Sequence, residues 1–228
     1  MNKKMKICYI SDTHGEHRRL TIPECDMIIF AGDMSKGGTK PEIEDFFDWF
    51  SSLDILYKVA ICGNHDMWFN PECDRSKSRG INQDGVDPRS IVPENVIYLQ
   101  HEHITIEGIK IFGSPYSPEF HNWAFNLKRG KESAEKWDEI DVDSDIVIIH
   151  GPANGVLDMT YQYIYAGCEE LIKTLEIIRP KIFCSGHIHE AYGILESEHT
   201  TFINASMVNE HDYTDRLNDP IVLDYLLN

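Results

Sequence analysis

The chain is 228 residues long, with 42% hydrophobic and 11% aromatic residues, which is enough apolar surface for a sizeable core and unlike a disordered or fibrous chain. Its 38 acidic and 21 basic residues leave a net charge of −17. A surface of that sign repels nucleic-acid backbones and anionic membranes, so an anionic substrate has to be drawn in by something locally positive, such as a metal centre.

The elements follow in chain order. "MNKKMKICYIS" opens with lysines, but its apolar stretch is too short for a signal-peptide core; the strand expected at 6–11 runs into Asp12 and His14. "MIIFAG" (27–32) is a second strand and runs into Asp33. "GDMSKGGTK" lacks the GxxxxGK[ST] spacing of a phosphate-cradling loop and leads instead into a helix at 40–53, with Pro41 near its start. "ILYKVAIC" (55–62) is a third strand, followed by Asn64, His65 and Asp66. From 70 to 95 the periodicity is lost among Pro71, Gly80, Gly85, Pro88 and Pro93, and a loop of that length is either functional or mobile.

Strands follow at 96–100 and at 103–115, the latter a hairpin turning at Glu107 and Gly108. A helix is expected at 129–140, then a strand at 145–151 carrying His150. A helix at 167–179 is stopped by Pro180, and strand 181–186 runs into His187 and His189 before a last strand at 200–206. The alternation implies α/β layers around mixed sheets, without a linker or an internal repeat. No run approaches the roughly 20 apolar residues of a membrane span, and the six cysteines show no CxxC spacing. The expectation is a cytoplasmic protein with reduced thiols and no membrane partner.

Five apolar runs thus end in the same kind of residue: Asp12 and His14, Asp33, Asn64 with His65 and Asp66, His150, and His187 with His189. Taken singly these have ordinary explanations, Asp12 as a helix cap, Asp33 as a turn former and His150 as a core histidine. Ligands in open α/β sheets gather outside the carboxyl ends of strands, so the five sets can converge. Imidazole and carboxylate without thiolate favour manganese, iron, zinc or nickel over calcium or a structural zinc site, and the set has the size for two ions. The two-residue spacing in DxH and HIH suggests pairs on one side of a strand as it enters its loop.

The order DxH, GD, GNHD, HG and GHIH, from Asp12 to His189, resembles the calcineurin-like metallophosphoesterases. "GSPYSPEF", "NWAFNLKRG", "HGPANGVLD", "GCEEL", "RPKIFCSGHIHEAYG" and "TTFINAS" resemble the metallophosphoesterase-domain-containing branch of that superfamily. The resemblance implies a four-layer α/β sandwich, two mixed β-sheets flanked by helices, as one domain over 1–228. It implies two divalent metal ions, manganese first, with iron, zinc, nickel or cobalt as alternatives. Asp12, His14 and His189 would hold one ion, Asn64, His150 and His187 the other, and Asp33 would bridge them. His65 would protonate the leaving oxygen or hold the phosphate, and Asp66 would orient His65.

The activity implied is hydrolysis of a small phosphodiester, such as a cyclic nucleotide, by in-line attack of a metal-bridging hydroxide. The rivals are a phosphomonoesterase, whether nucleotidase or protein phosphatase, and a metal- and nucleotide-binding regulatory module with little turnover. The partner expected is a small-molecule phosphoester; nucleic acid is disfavoured by the charge, and the oligomeric state, a homodimer included, stays open. His121, Asn122, Trp123 and Phe125 are candidates for the substrate pocket and Arg129 for a phosphate contact. His17, His101, His103, His199 and His211 have no motif around them and are expected to be surface or structural residues.

Overall fold

The computed structural model describes residues 4–82, 85–209 and 216–227; His211 lies outside them. One sheet holds β1 (Lys4–Ile10), β2 (Met27–Ala31), β3 (Tyr57–Ile61), β4 (Ile97–Tyr98) and β13 (Ile221–Leu226), in the order β13-β1-β2-β3-β4. The second holds β5 (Glu102–Ile106), β6 (Ile109–Ser114), β9 (Ile146–Ile149), β10 (Ile182–Ser185), β11 (Gly193–Glu196) and β12 (Thr201–Asn204), in the order β11-β12-β10-β9-β6-β5. Both are mixed: β13 runs antiparallel to β1 in the first, while β5 and β11 are the antiparallel strands of the second. A small parallel pair, β7 (Ser117–Pro118) and β8 (Asn126–Leu127), stands apart. The helices are α1 (Lys40–Ser52), α2 (Asp74–Arg79), α3 (Lys131–Trp137) and α4 (Glu169–Ile178).

The strand side chains explain the layering. Ile7, Tyr9, Ile29, Val59 and Ile61 of the first sheet meet Ile109, Ile111, Ile146, Ile148 and Ile203 of the second in one buried cluster. Their alternate neighbours Cys8, Ile10, Ile28 and Phe30 face the other way, into a cluster with Ile43, Phe46, Phe47 and Phe50 of α1. On the far side, Phe112, Val147, Ile149 and Phe183 pack under Trp137 of α3 and Leu171 and Leu175 of α4. The architecture is therefore helix, sheet, sheet, helix, with strands buried on both faces, and this is why they read as unbroken apolar runs rather than alternating ones. Main-chain continuity at the hairpin is supplied by Glu107 (φ 50°) and Gly108 (φ 82°), as expected.

Three elements depart from the sequence reading. The stretch at 70–95 contains α2 and a short 3-10 turn at Pro88–Ile91, stabilised by an Asn82 amide donating to the Trp68 carbonyl at 3.0 Å. Being only six residues long, α2 is too short to leave a 3.6-residue pattern. β11 is largely exposed, and β13 contains Asp224 among its apolar residues, so neither has the fully buried signature of the central strands.

Phe46 is at the centre of the outer cluster, with ring centroids 4.4 Å from Phe30 and 5.3 Å from Phe50. Phe46→Ala is expected to lower stability by about 3–5 kcal/mol through lost burial and the cavity left behind. Chemical denaturation would read this, and a change below about 1 kcal/mol would contradict the packing.

Candidate metal centre and cavity

β1, β2 and β3 of one sheet and β9 and β10 of the other point their carboxyl ends to the same edge. Asp12, Asp33, Asn64, His150 and His187 follow those ends within three residues, and the site straddles the gap between the sheets. The strand-alternation account of DxH and HIH does not hold. β1 ends at Ile10 and β10 at Ser185, and Asp12 (φ 49°), His14 (φ 44°), Asp33 (φ 59°) and His187 (φ 70°) all adopt left-handed backbone. Side-chain direction here comes from tight turns, at a cost on the order of 1 kcal/mol or more for each such residue. Two glycines make the approach feasible. A Cβ on Gly186 would collide with the Asp12 carboxylate and the Ser11 hydroxyl, and one on Gly63 with the Asp33 carboxylate and, at 2.6 Å, with the His150 ring.

Among the described residues, the atoms that could hold a metal form three groups, each within 4.8 Å: Asp12, His14 and His189; His14, Asp33 and His65; and Asp33, His150 and His187. Asp33 belongs to two of them. His189 Nε2 is 3.3 Å from Asp12 Oδ1 and 3.2 Å from His14 Nε2. His150 Nε2 is 3.4 Å from Asp33 Oδ2, and Asn64 Oδ1 lies 2.9 Å from that nitrogen and 2.7 Å from His187 Nδ1. The structure thus brings together all seven residues that the sequence suggested as ligands.

Backbone carbonyls orient three of the rings. His14 Nδ1 donates to the Ser35 carbonyl at 3.1 Å, His65 Nδ1 to Lys36 at 3.0 Å and His150 Nδ1 to Ala31 at 2.9 Å. Such a bond fixes the tautomer and leaves the Nε2 lone pair facing the centre, the usual support of a metal-binding imidazole. Asp12 is steadied by the His187 amide, 3.0 Å from each carboxylate oxygen, and by the Ser206 hydroxyl at 3.0 Å. Ser206 and the three carbonyls were not foreseen; Ser206 lies after an apolar run as the ligands do, and that position was its only signal.

The electrostatics point to a cation. Burial pushes the His14 imidazole down to about 4 and that of His187 to about 3, with neighbouring imidazoles adding to the effect. Burial would also lower His150, but the Asp33 and Asp12 carboxylates overcome it and hold it at about 9. Burial raises Asp33, yet His150 and His65 keep it well below the usual carboxylate range. A proton on His150 and a divalent ion answer the same need, a positive charge beside two buried carboxylates. Neutral imidazoles, carboxylates and an amide oxygen, without thiolate, are a fitting donor set for a first-row divalent metal.

Two expectations are corrected. Asp66 does not orient His65, whose Nδ1 is held by Lys36. The Asp66 carboxylate accepts from the backbone amides of Gly63, Asp33, Met34 and Ser35 at 2.8–3.3 Å and from the Ser35 hydroxyl at 2.7 Å. Burial and the charge of Asp33 push it up to about 6 against those bonds. Arg129, the candidate phosphate contact, is already engaged: it donates to the carbonyls of Ala166 and Gly167, each at 2.7 Å, and to Glu169 at 2.6 Å.

A cavity of about 460 Å³ opens on the cluster, lined by Asp33, Asn64, His65, His187 and His189 together with Trp123 and Arg129. Trp123 packs on His65, ring centroids 4.0 Å apart, and its other neighbour is the Arg75 guanidinium of α2 at 3.8 Å. Of the other pocket candidates, Phe125 is buried in the core, and His121 and Asn122 line an adjoining cleft with Arg75 and Arg79 that shares Phe120 and Trp123 with the cavity. His17, His101, His103 and His199 line no part of the cavity. His17 is fully buried against Phe46 and Trp49, with Asp45 at 3.2 Å.

The family model of calcineurin-like phosphoesterases matches residues 5–191 of this chain. Metallophosphoesterase domain-containing protein 1 of Homo sapiens is 36% identical over 230 residues, covering 94% of this chain and 69% of that protein. Phosphopantetheinyl Hydrolase from Mycobacterium tuberculosis superposes with a TM-score of 0.57 at 13% identity, over 97% of each chain. The protein TT1561 of Thermus thermophilus does so with a TM-score of 0.57 at 13% identity, over 89% of each chain. Both structures show the fold alone.

Gly186→Ala is expected to displace the Asp12 carboxylate and weaken divalent-cation binding by about 10–100-fold. Calorimetric titration with manganese would measure this, and affinity equal to the parent protein would contradict it.

Proposed function

Because the chain belongs to the calcineurin-like phosphoesterases, in the branch of the metallophosphoesterase domain-containing proteins, we propose that it hydrolyses a small phosphodiester, such as a cyclic nucleotide, with two divalent ions, manganese first. The observation that carries the diester preference is Arg129. A monoester brings a second negative charge that wants a fixed cation, and among the described residues the one guanidinium lining the cavity already has its partners in Ala166, Gly167 and Glu169. A diester, with one charge, does without it.

Bound divalent ions would neutralise the phosphoryl oxygens and activate a water for in-line attack. In this reading Asp12, His14 and His189 would hold the first ion and Asn64, His150 and His187 the second, with Asp33 available to both. The place of its Oδ2, 3.8 Å from His14 Nε2 and 3.4 Å from His150 Nε2, supports that role. His65 keeps Nδ1–H on the Lys36 carbonyl, so Nε2, once it has taken up a proton, is the atom from which that proton passes to the departing alkoxide. Asp66 acts on the loops that carry Asp33 and Asn64 and not on the proton transfer. The net charge of −17 weighs against polynucleotide substrates. Among the described residues no helix is long and apolar enough to cross a membrane.

Manganese-loaded protein is expected to turn over an aryl phosphodiester faster than the matching aryl phosphomonoester, with both rates lost on chelation. A faster monoester would reverse the assignment, and metal-independent rates or none would remove it. His65→Ala is expected to lower kcat by about 10²–10⁴-fold while manganese stoichiometry holds. Full activity in that variant would take the proton from His65.

A further inference from the structure

The cavity that opens on the donor cluster has room for more than a phosphoryl group: about 460 Å³ lies within the range of roughly 300–1,000 Å³ typical of sites for small organic ligands. Besides the polar cluster it is lined by Phe120, Trp123, Tyr161 and Ile164. Phe120, Tyr161 and Ile164 remain 55%, 58% and 55% exposed. Large apolar side chains gathered in water around one opening mark a surface that binds something.

The segment that presents Tyr161 and Ile164 is tied down. The Thr160 amide donates to the Ile164 carbonyl at 2.9 Å, the Tyr163 amide to Thr160 at 2.8 Å and the Tyr161 amide to Glu190 at 2.8 Å. At its base, Asp158 accepts from the Gly155 and Gly167 amides at 3.0 and 2.9 Å, and the Arg129 guanidinium grips Ala166 and Gly167. Little ordering would remain for a ligand to impose. Trp123, its ring tilted against His65 with centroids 4.0 Å apart, makes the apolar wall continuous with the polar cluster. Apart from imidazoles, the charged groups lining the cavity among the described residues are Asp33, Glu119, Glu190 and the committed Arg129. A second anionic group would meet carboxylates there and no available guanidinium.

We propose that the alcohol portion of the ester carries a flat, uncharged ring system held against Phe120, Tyr161 and Ile164, and that these side chains set the specificity. The proposal rests on the phosphoesterase reading above, which places the phosphoryl group at the donor cluster. Stacking on an aromatic side chain is worth about 5–150-fold in affinity per ring.

The test is calorimetric titration of the manganese-loaded protein with two monoanionic phosphinates whose P–C bonds resist hydrolysis, methyl(naphthylmethyl)phosphinate and dimethylphosphinate. The naphthyl compound is expected to bind at least about tenfold tighter. In a Tyr161→Ala, Ile164→Ala variant with parental manganese content, that advantage is expected to fall at least about fivefold, with dimethylphosphinate unchanged. A carboxylate added to the naphthyl ring is expected to weaken binding. Equal affinities, no binding of either compound, an advantage that survives in the variant, or tighter binding of the carboxylated ring would each overturn the proposal. Failure of the phosphoesterase reading is separate: it appears as absent turnover of the aryl esters while the ring preference is still measured.

Discussion

Four backbone amides converge on the carboxylate of Asp66, and the geometry of the polar edge follows from that knot. Three of the amides belong to Asp33, Met34 and Ser35 at the end of β2, and the fourth to Gly63 at the end of β3. The carboxylate therefore locks two neighbouring loops into one body. From that body Asp33 Oδ1 accepts the His65 amide at 2.8 Å, the Ser35 carbonyl takes the His14 ring and the Lys36 carbonyl takes the His65 ring. The amide and hydroxyl bonds offset part of the cost of burying the Asp66 carboxylate, and they hold the turns it ties. The left-handed backbone of Asp33 persists because this surrounding network over-determines it.

The apolar framework explains why such strain is tolerated. Three stacked clusters bury both faces of both sheets, and their dispersion and hydrophobic terms outweigh a few unfavourable dihedrals at one edge. The strained residues all sit beyond the strand ends, where the ladder bonds stop and the backbone is free to turn. Rigidity is inherited from the strands and direction from the turns.

Much of this was legible in the sequence because the central strands are buried on both faces. Runs such as "MIIFAG" and "DIVIIHG" could hardly be anything else, and the residues that follow them had to fall at strand ends. The seven suggested ligands meet in space for that reason. What escaped lies where no pattern operates. α2 is shorter than two turns, β13 interrupts its apolar residues with Asp224, and the carbonyls of Ala31, Ser35 and Lys36 belong to the main chain, whose partners no side-chain motif announces. Arg129 and Asp66 were read by residue type, a guanidinium for phosphate and a carboxylate for imidazole. Both bind mainly backbone, with one side chain added in each case, Glu169 on Arg129 and the Ser35 hydroxyl on Asp66, since a charged group beside a turn finds peptide groups within reach.

The cluster draws Asp12, His14, Asp33 and Asn64 from one sheet and His150, His187 and His189 from the other. Between the sheets lie mainly branched aliphatic side chains and the Tyr9 ring, which resist separation but offer little directional resistance to sliding. The polar edge supplies that resistance, as a clasp fixes two plates already pressed together. Lateral shear of one sheet over the other would pull the two halves of the donor set apart, so an ion held there would give the sandwich a single registration and leave adjustable motion to the loops around its mouth.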